Sequence, residues 1–266
     1  MLINLIKDWD KFLLPYTQAV EELKIKFKSL RKSYKGLDEY SPIEFVTGRV
    51  KKISSIIEKL DRRGMTIDRA AELEDIAGIR IMCQLVDDIS TVVELIRSRD
   101  GKDLKIVEER DYTKNIKDSG YRSYHIIIKY WVYSSLGENE ILAEIQIRTL
   151  AMNFWATIEH SLNYKFDQNI PANIAERLKI AAEAAFHLDM EMSQIRDEII
   201  DSQKLFMAES ALTEKILYKI HTLYVNSNYK NVDLLQKDFY NAKRNGSIED
   251  LKKLNDRIDL LLEELN

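Results

Sequence analysis

Residues 118–128 read DSGYRSYHIII, a Gly-bearing polar loop that runs into an apolar strand. Tyr121, Arg122, Tyr124 and His125 crowd the junction. Tyr121 follows a glycine and lies between Lys117 and Arg122, a setting in which an aromatic ring can stack on a nucleobase for roughly 1–3 kcal/mol. Lys117, Arg122 and His125 add positive or switchable donors. Tyr124 reads as the first residue of the strand.

A second group lies in EILAEIQIRT, residues 140–149. Side chains alternate across a strand, so Leu142, Glu144, Gln146 and Arg148 share one face and Ile141, Ala143, Ile145 and Ile147 the other. A carboxylate, an amide and a guanidinium in a row can supply a metal ligand, a base-edge reader and a phosphate clamp. Solvent-facing strands carry polar faces too, so the row alone does not decide. EDIAGIRI, residues 74–81, offers a second carboxylate in Asp75, a backbone open to close approach at Gly78, and Arg80 on a strand. Two carboxylates suffice for Mg²⁺ when substrate phosphates and water complete its shell.

Lys52, Ser55, Lys59 and Arg62 are spaced three, four and three apart, which places them on one helix face. Such a stripe is usually a solvated face, and it is also what a polyphosphate needs. Asn153 falls near a helix start just past the polar strand, where its amide can meet a base edge. Trp155, Ile158 and Leu162 have the spacing of a buried helix face, and His160 reads as structural.

These residues need elements to hold them. Apolar positions three or four apart form a helical stripe over residues 9–34, which Pro15 interrupts, so the regular helix is expected to begin there with Pro in its first turn. Ser41, Pro42 and Glu44 form a capping-box signature, predicting a helix through Ile43, Val46, Val50, Ile53, Ile57 and Leu60 to Gly64. IAGIRIMCQLV reads as a strand, DDISTVVELIRSRDG as a helix and LKIVEER as a strand. YHIIIKYWVY and NEILAEIQIRT flank SSLGE and should pair as a hairpin. From Leu150 the pattern is helical almost to the end, with breaks at DQNIP and around Asn245-Gly246. The class is α+β with α/β character: a mixed sheet flanked by helices, N-terminal helices and a long C-terminal helical extension.

With 266 residues, 45% of them hydrophobic, the chain can bury one substantial core plus an appendage. One cysteine excludes an internal disulfide and a cysteine-based metal site. A net charge of −4 argues against a duplex DNA binder. No apolar run is long enough for a membrane span, and no secretory signal is evident, so a cytoplasmic protein is expected.

Four segments, SPIEFVTGRVK, EDIAGIRIMCQ, RDYTKNIKDSGYRSYH and EIQIRTLAMNFWATIEHSLNYK, occur in that order and together resemble the synthetase domain of the RelA/SpoT family. The small single-domain alarmone synthetases of the RelQ type are most similar, over about residues 8–205. The resemblance implies a nucleotidyltransferase-like fold and a Mg²⁺-dependent enzyme that moves the β,γ-diphosphate of ATP to the 3′-hydroxyl of GDP or GTP, giving ppGpp or pppGpp and AMP. By the same resemblance, Arg49 and Arg80 sandwich adenine, and Lys51, Ser55, Lys59 and Arg62 hold the ATP phosphates. Asp75 binds Mg²⁺, and Glu144 binds or orients it and is the candidate base. Tyr121 stacks on guanine, Asn153 and Gln146 lie on the acceptor side, and Arg110, Lys117 and His125 contact the acceptor's phosphates. The family's hydrolases carry a His-Asp metal motif, whereas none of the four histidines here precedes an aspartate, so synthesis without hydrolysis is expected. Relatives of this type form homotetramers, and some bind alarmone in a central cleft, which Lys24, Lys28, Phe45 and Thr47 would line here. The alternatives are another nucleotidyltransferase and a non-catalytic nucleotide or RNA sensor. Residues 1–205 are expected to be the synthetase domain, and 206–266 a helical extension that departs from the usual length of the type.

Overall fold

The structure is a computed structural model that describes residues 8–135, 137–165, 171–226 and 231–264. The break expected at DQNIP lies mostly outside the described residues.

Two strands, β4 (Tyr124–Ser134) and β5 (Gly137–Thr149), form the expected hairpin, with Tyr124 opposite Ile147 and Ser134 opposite Gly137. Around it the sheet order is β1-β2-β5-β4-β3, where β1 is Phe45–Val50, β2 is Ala77–Cys83 and β3 is Lys105–Asp111. Only β2 and β5 run parallel. Helix α1 (Trp9–Gly36) and helix α3 (Val86–Arg97) pack on one face of the sheet. Their Val20, Leu23, Phe27, Val92 and Ile96 close over Ile79, Ile81, Ile126, Ala143, Ile145 and Ile147. Helix α2 (Ile53–Arg62) precedes a 3-10 turn (Ile67–Glu72) that leads into β2.

Two sequence expectations are corrected. Helix α1 starts at Trp9, capped by the Asp8 side chain on Lys11 N, and runs through Pro15 instead of beginning there. The helix expected from Ile43 to Gly64 is a strand followed by a shorter helix. Val46 and Val50 suit a period of two as well as a helical one, and pairing with β2 (Val46 opposite Ile81, Val50 opposite Ala77) selects the strand. Gly48 lets α1 come close: a Cβ there would lie 2.8 Å from Val20 Cγ1 and 2.9 Å from Ile79 Cδ1. No capping box forms. The Ser41 hydroxyl accepts from Ile43 N at 3.2 Å, and Glu44 turns to Arg31 and Gln84.

Helices α4 (Leu150–Lys165) and α5 (Ala172–Asn226) follow the sheet. Trp155 is buried, while Ile158 of its expected stripe is 42% exposed. The chain divides into two compact units, residues 1–193 and 194–266. In the second, the end of α5 packs with α6 (Val232–Asn245) and α7 (Ile248–Glu264), the expected helical hairpin. Its core joins Ile216, Ile220 and Leu223 to Leu235, Phe239, Leu251, Leu254 and Ile258. No helix among the described residues is long and apolar enough to cross a membrane.

Candidate active site

One row of paired residues crosses all five strands: Thr47, Arg80, Gln146, His125 and Arg110. In the adjacent row Arg49 faces Gly78, and Gly78 faces Glu144. Directly paired residues share a face, and this is the face opposite α1. The register therefore gathers polar side chains from five segments without help from the loops.

The result is a cleft with about 590 Å³ of free space, partly open to solvent, lined by Thr47, Arg49, Asp75, Gly78, Arg80, Glu144 and Gln146 among others. Asp75 comes from the turn just before β2. Its Oδ2 pairs with Lys51 Nζ at 2.8 Å and its Oδ1 with Lys59 Nζ at 2.9 Å. Burial pushes the Asp75 carboxyl up, but the two ammonium groups outweigh it and hold the carboxyl below its ordinary value. Arg80 is held below its ordinary value by burial, then by Arg148 and Arg49.

Glu144 belongs to a closed circuit of hydrogen bonds. His125 Nδ1 lies 2.9 Å from Glu144 Oε1, and Gln146 Nε2 donates to Glu144 Oε2 at 2.7 Å. A carboxylate only accepts, so His125 donates from Nδ1, and its Nε2 lies 2.8 Å from the Tyr121 hydroxyl. Arg148 closes the circuit by donating to Tyr121 Oη and, at 2.8 Å, to Gln146 Oε1. Burial raises the Glu144 carboxyl and Asp75 adds to that, yet His125 and Gln146 bring it below its ordinary value. Asp75 and Glu144 both line this one cleft.

The remaining candidates divide. Ser55 is half-buried on α2 beside Lys59, while Arg62 is exposed and pairs with Glu58. Lys52 is exposed at the start of α2. Lys117 lies over two rings, 4.4 Å from the centroid of Tyr112 and 4.9 Å from that of Tyr121. Burial raises the Tyr121 phenol above its ordinary value, with the Arg148 charge opposing. Arg110 is engaged by Glu74 through two 3.0 Å hydrogen bonds and by Glu108. Asn153 is half-buried in the first turns of α4. Lys24 pairs with Glu21, and its stem lies against Gly48 on the α1 side, whereas Phe45 and Thr47 point to the cleft side of β1. Lys28 is exposed, so these four form no single cluster within one chain.

Arg122 is no phosphate donor here. It is 4% exposed, bonded to both Glu183 oxygens at 2.9 Å, and stacked over Phe186. Sequence reasoning overlooked Glu74, Tyr112 and Glu183. Tyr112 lies inside RDYTKN and could have been singled out as a second ring beside Tyr121; the two glutamates carry no local signal.

Two carboxylates on one cleft fit a divalent ion that takes its remaining ligands from phosphates and water. Among the described residues no group of three or more His, Cys, Asp or Glu could hold a metal alone.

One carboxylate on β5, another in the turn before β2, lysines just before and along α2, and an aromatic-basic loop thus frame one candidate site. Comparison with known proteins gives it a family. Residues 48–169 match the region found in RelA / SpoT proteins. The chain is 53% identical over 209 residues to GTP pyrophosphokinase YjbM of Bacillus subtilis, covering 79% of this chain and 98% of that protein. The crystal structure of small alarmone synthetase 1 from Bacillus subtilis bound to its product pppGpp superposes with a TM-score of 0.70 at 55% identity, over 73% of this chain and 99% of that one. The same synthetase bound to AMPCPP gives 0.66 at 53% identity, over 73% and 99%. The chain belongs to the RelA/SpoT family, among the small alarmone synthetases.

Proposed function

We propose that this protein is a Mg²⁺-dependent pyrophosphokinase that transfers the β,γ-diphosphate of ATP to the 3′-hydroxyl of GDP or GTP. The observation that carries the reading is the meeting of Asp75 and Glu144 on one open cleft, with lysines on one side and an aromatic-basic loop on the other. Relatives solved with pppGpp and with AMPCPP support nucleotides as its substrates.

Diphosphoryl transfer depends on alignment and charge neutralisation more than on covalent help. Arg49 and Arg80 flank the donor's base, and Lys51, Ser55, Lys59 and Arg62 hold its phosphates. Asp75 and Glu144 would hold Mg²⁺, which supplies positive charge to the β- and γ-phosphates. Tyr121, Gln146 and Asn153 orient the acceptor's guanine side, while Arg110, Lys117 and His125 meet its phosphates. Holding two nucleotides in line can lower the barrier by roughly 7–11 kcal/mol. Glu144 takes the proton of the 3′-hydroxyl, a role that its ionised state favours.

Synthesis proceeds without alarmone hydrolysis, since no histidine precedes an aspartate. The enzyme works in the cytoplasm as a homotetramer. Leu188, Met192, Ile195 and Ile199 recur four, three and four apart on α5, and all are exposed in the single chain. Lys24, Lys28, Phe45 and Thr47 could then meet at a subunit cleft that binds alarmone. Residues 1–205 form the catalytic domain.

Incubation with γ-labelled ATP and GDP tests the reading. Label is expected on a guanosine tetraphosphate, with AMP as the second product. Label that stays off guanosine points to a different nucleotidyltransferase. A Glu144→Gln protein that keeps full activity in cells points to a non-catalytic sensor.

A further inference from the structure

One buried acid plays no part in the reaction above. Asp189, on α5, is 5% exposed, and its Oδ2 accepts from Thr149 Oγ1 at 2.5 Å. Thr149 is the last residue of β5 and is fully buried. Its Oγ1 also accepts from Met152 N at 3.1 Å, which makes it the N-cap of α4. A hydroxyl has one proton, so giving it to Asp189 turns the oxygen lone pairs toward Met152 N. Asp189 thus sets the rotor that starts α4.

The junction it fixes carries the acceptor side of the site. Arg148, one residue before Thr149, anchors the Tyr121–His125–Glu144 circuit. Asn153, four residues after Thr149, lies in the first turns of α4. The same face of α5 braces α4 and the loop of residues 117–122 at positions spaced four, four and three apart. Leu178 O accepts from Trp155 Nε1 at 2.8 Å, Ala182 backs Gly120, and Phe186 stacks under Arg122. Burial raises the Asp189 carboxyl from 3.8 to about 6, so an anion held here works against folding. An apolar residue would fill that space at less cost and would leave the Thr149 hydroxyl without its direction.

We infer that Asp189 is a positioning residue for the acceptor nucleotide, acting through Thr149 to set where Arg148 and Asn153 stand. The inference rests on the reading that the acceptor lies against residues 117–153.

The test measures KM for GDP and for ATP separately in Asp189→Ala, Asp189→Asn, Thr149→Val and Thr149→Ser, with folding checked by circular dichroism. Asp189→Ala and Thr149→Val are expected to raise KM for GDP by about tenfold or more with KM for ATP within about twofold. Asp189→Asn and Thr149→Ser preserve an acceptor or a hydroxyl and should remain near the parent for both substrates. The double variant Asp189→Ala with Thr149→Val should be no worse than either single change. Equal effects on both substrates, or an Asp189→Asn as impaired as Asp189→Ala, would overturn the inference. So would loss of folding in both Asp189→Ala and Thr149→Val, because the pair would then serve stability alone. A parent protein that binds GDP but transfers nothing would sink the proposed function instead, and GDP titration of the variants would still decide the role of Asp189.

Discussion

His125 Nδ1 lies 2.9 Å from Glu144 Oε1, where a carboxylate can only accept, and His125 Nε2 lies 2.8 Å from the Tyr121 hydroxyl. The imidazole therefore acts on the carboxylate as a fixed donor. Glu144→Gln retains shape but exchanges one of the two accepting oxygens for a donor, and it cannot take a proton. It should lower kcat by about 10²–10⁴-fold, with GDP affinity by calorimetry changed only slightly. A variant with kcat near the parent's would remove Glu144 from the chemistry.

Asp75 faces two ammonium groups rather than one. A divalent ion approaching this trio alone meets a net positive charge, and it becomes welcome only when a triphosphate draws Lys51 and Lys59 away. Mn²⁺ followed by electron paramagnetic resonance should bind the free protein weakly, and at least about tenfold more tightly with AMPCPP present. Replacing both lysines with Met should reverse the pattern, improving metal binding to the free protein and weakening the nucleotide. Equal Mn²⁺ affinity with and without nucleotide would refute this handover. Chelation of divalent ions should abolish transfer.

The parts of this site that sequence reasoning reached are those written in local period. The alternation of Ile141 to Arg148 predicts which face of β5 is polar, and the sheet keeps it. Segment 43–50 was misread because Val46 and Val50 satisfy two periods, and the contacts that decide, with Ile81 and Val20, come from elsewhere in the chain. The same limit hid the partners of Arg110 and Arg122. Glu74 is 36 residues from Arg110, and Glu183 is 61 from Arg122, so no spacing rule links them. Guanidinium groups that looked free for phosphate were partly engaged by acids that only the fold brings near.

Asp189 also predicts a pH dependence of stability. Its carboxyl titrates near 6 in the folded protein and near 3.8 unfolded. Between those values the folded state binds more protons, so stability falls as pH rises from about 3.8 to about 6 and is level above. Asp189→Asn removes that loss. It should stabilise the protein at pH 8 by on the order of 2 kcal/mol, and the gain should vanish near pH 4. Thermal unfolding of both proteins at the two pH values checks it. A gain of equal size at pH 4 would mean that the cause is not ionisation.

Gly120 has φ +86°, and a Cβ added there would lie 2.6 Å from Ala182 Cβ. Gly120→Ala therefore combines backbone strain with a clash against α5, the kind of local strain that costs about 1–3 kcal/mol. The loop it distorts carries Lys117 and Tyr121. KM for GDP should rise while KM for ATP stays near the parent's, and Tm should fall by a few degrees. A normal KM for GDP would show that the loop is not part of the acceptor site.

The second unit, residues 194–266, has its own buried cluster and its own polar pair, Lys219 with Asn255 at 2.7 Å. YjbM is matched over 98% of its length by 79% of this chain, so about a fifth of this chain lies outside the match. No residue proposed for catalysis lies beyond Asn153. A protein ending at residue 205 should keep the cleft and its hydrogen-bond circuit, and with them kcat within a small factor of the parent. Rates measured with GDP across a range of protein concentrations, beside size-exclusion chromatography, check this. If the shortened protein stays folded but loses transfer at every concentration, the extension contributes to the active site, and the boundary proposed at residue 205 is wrong.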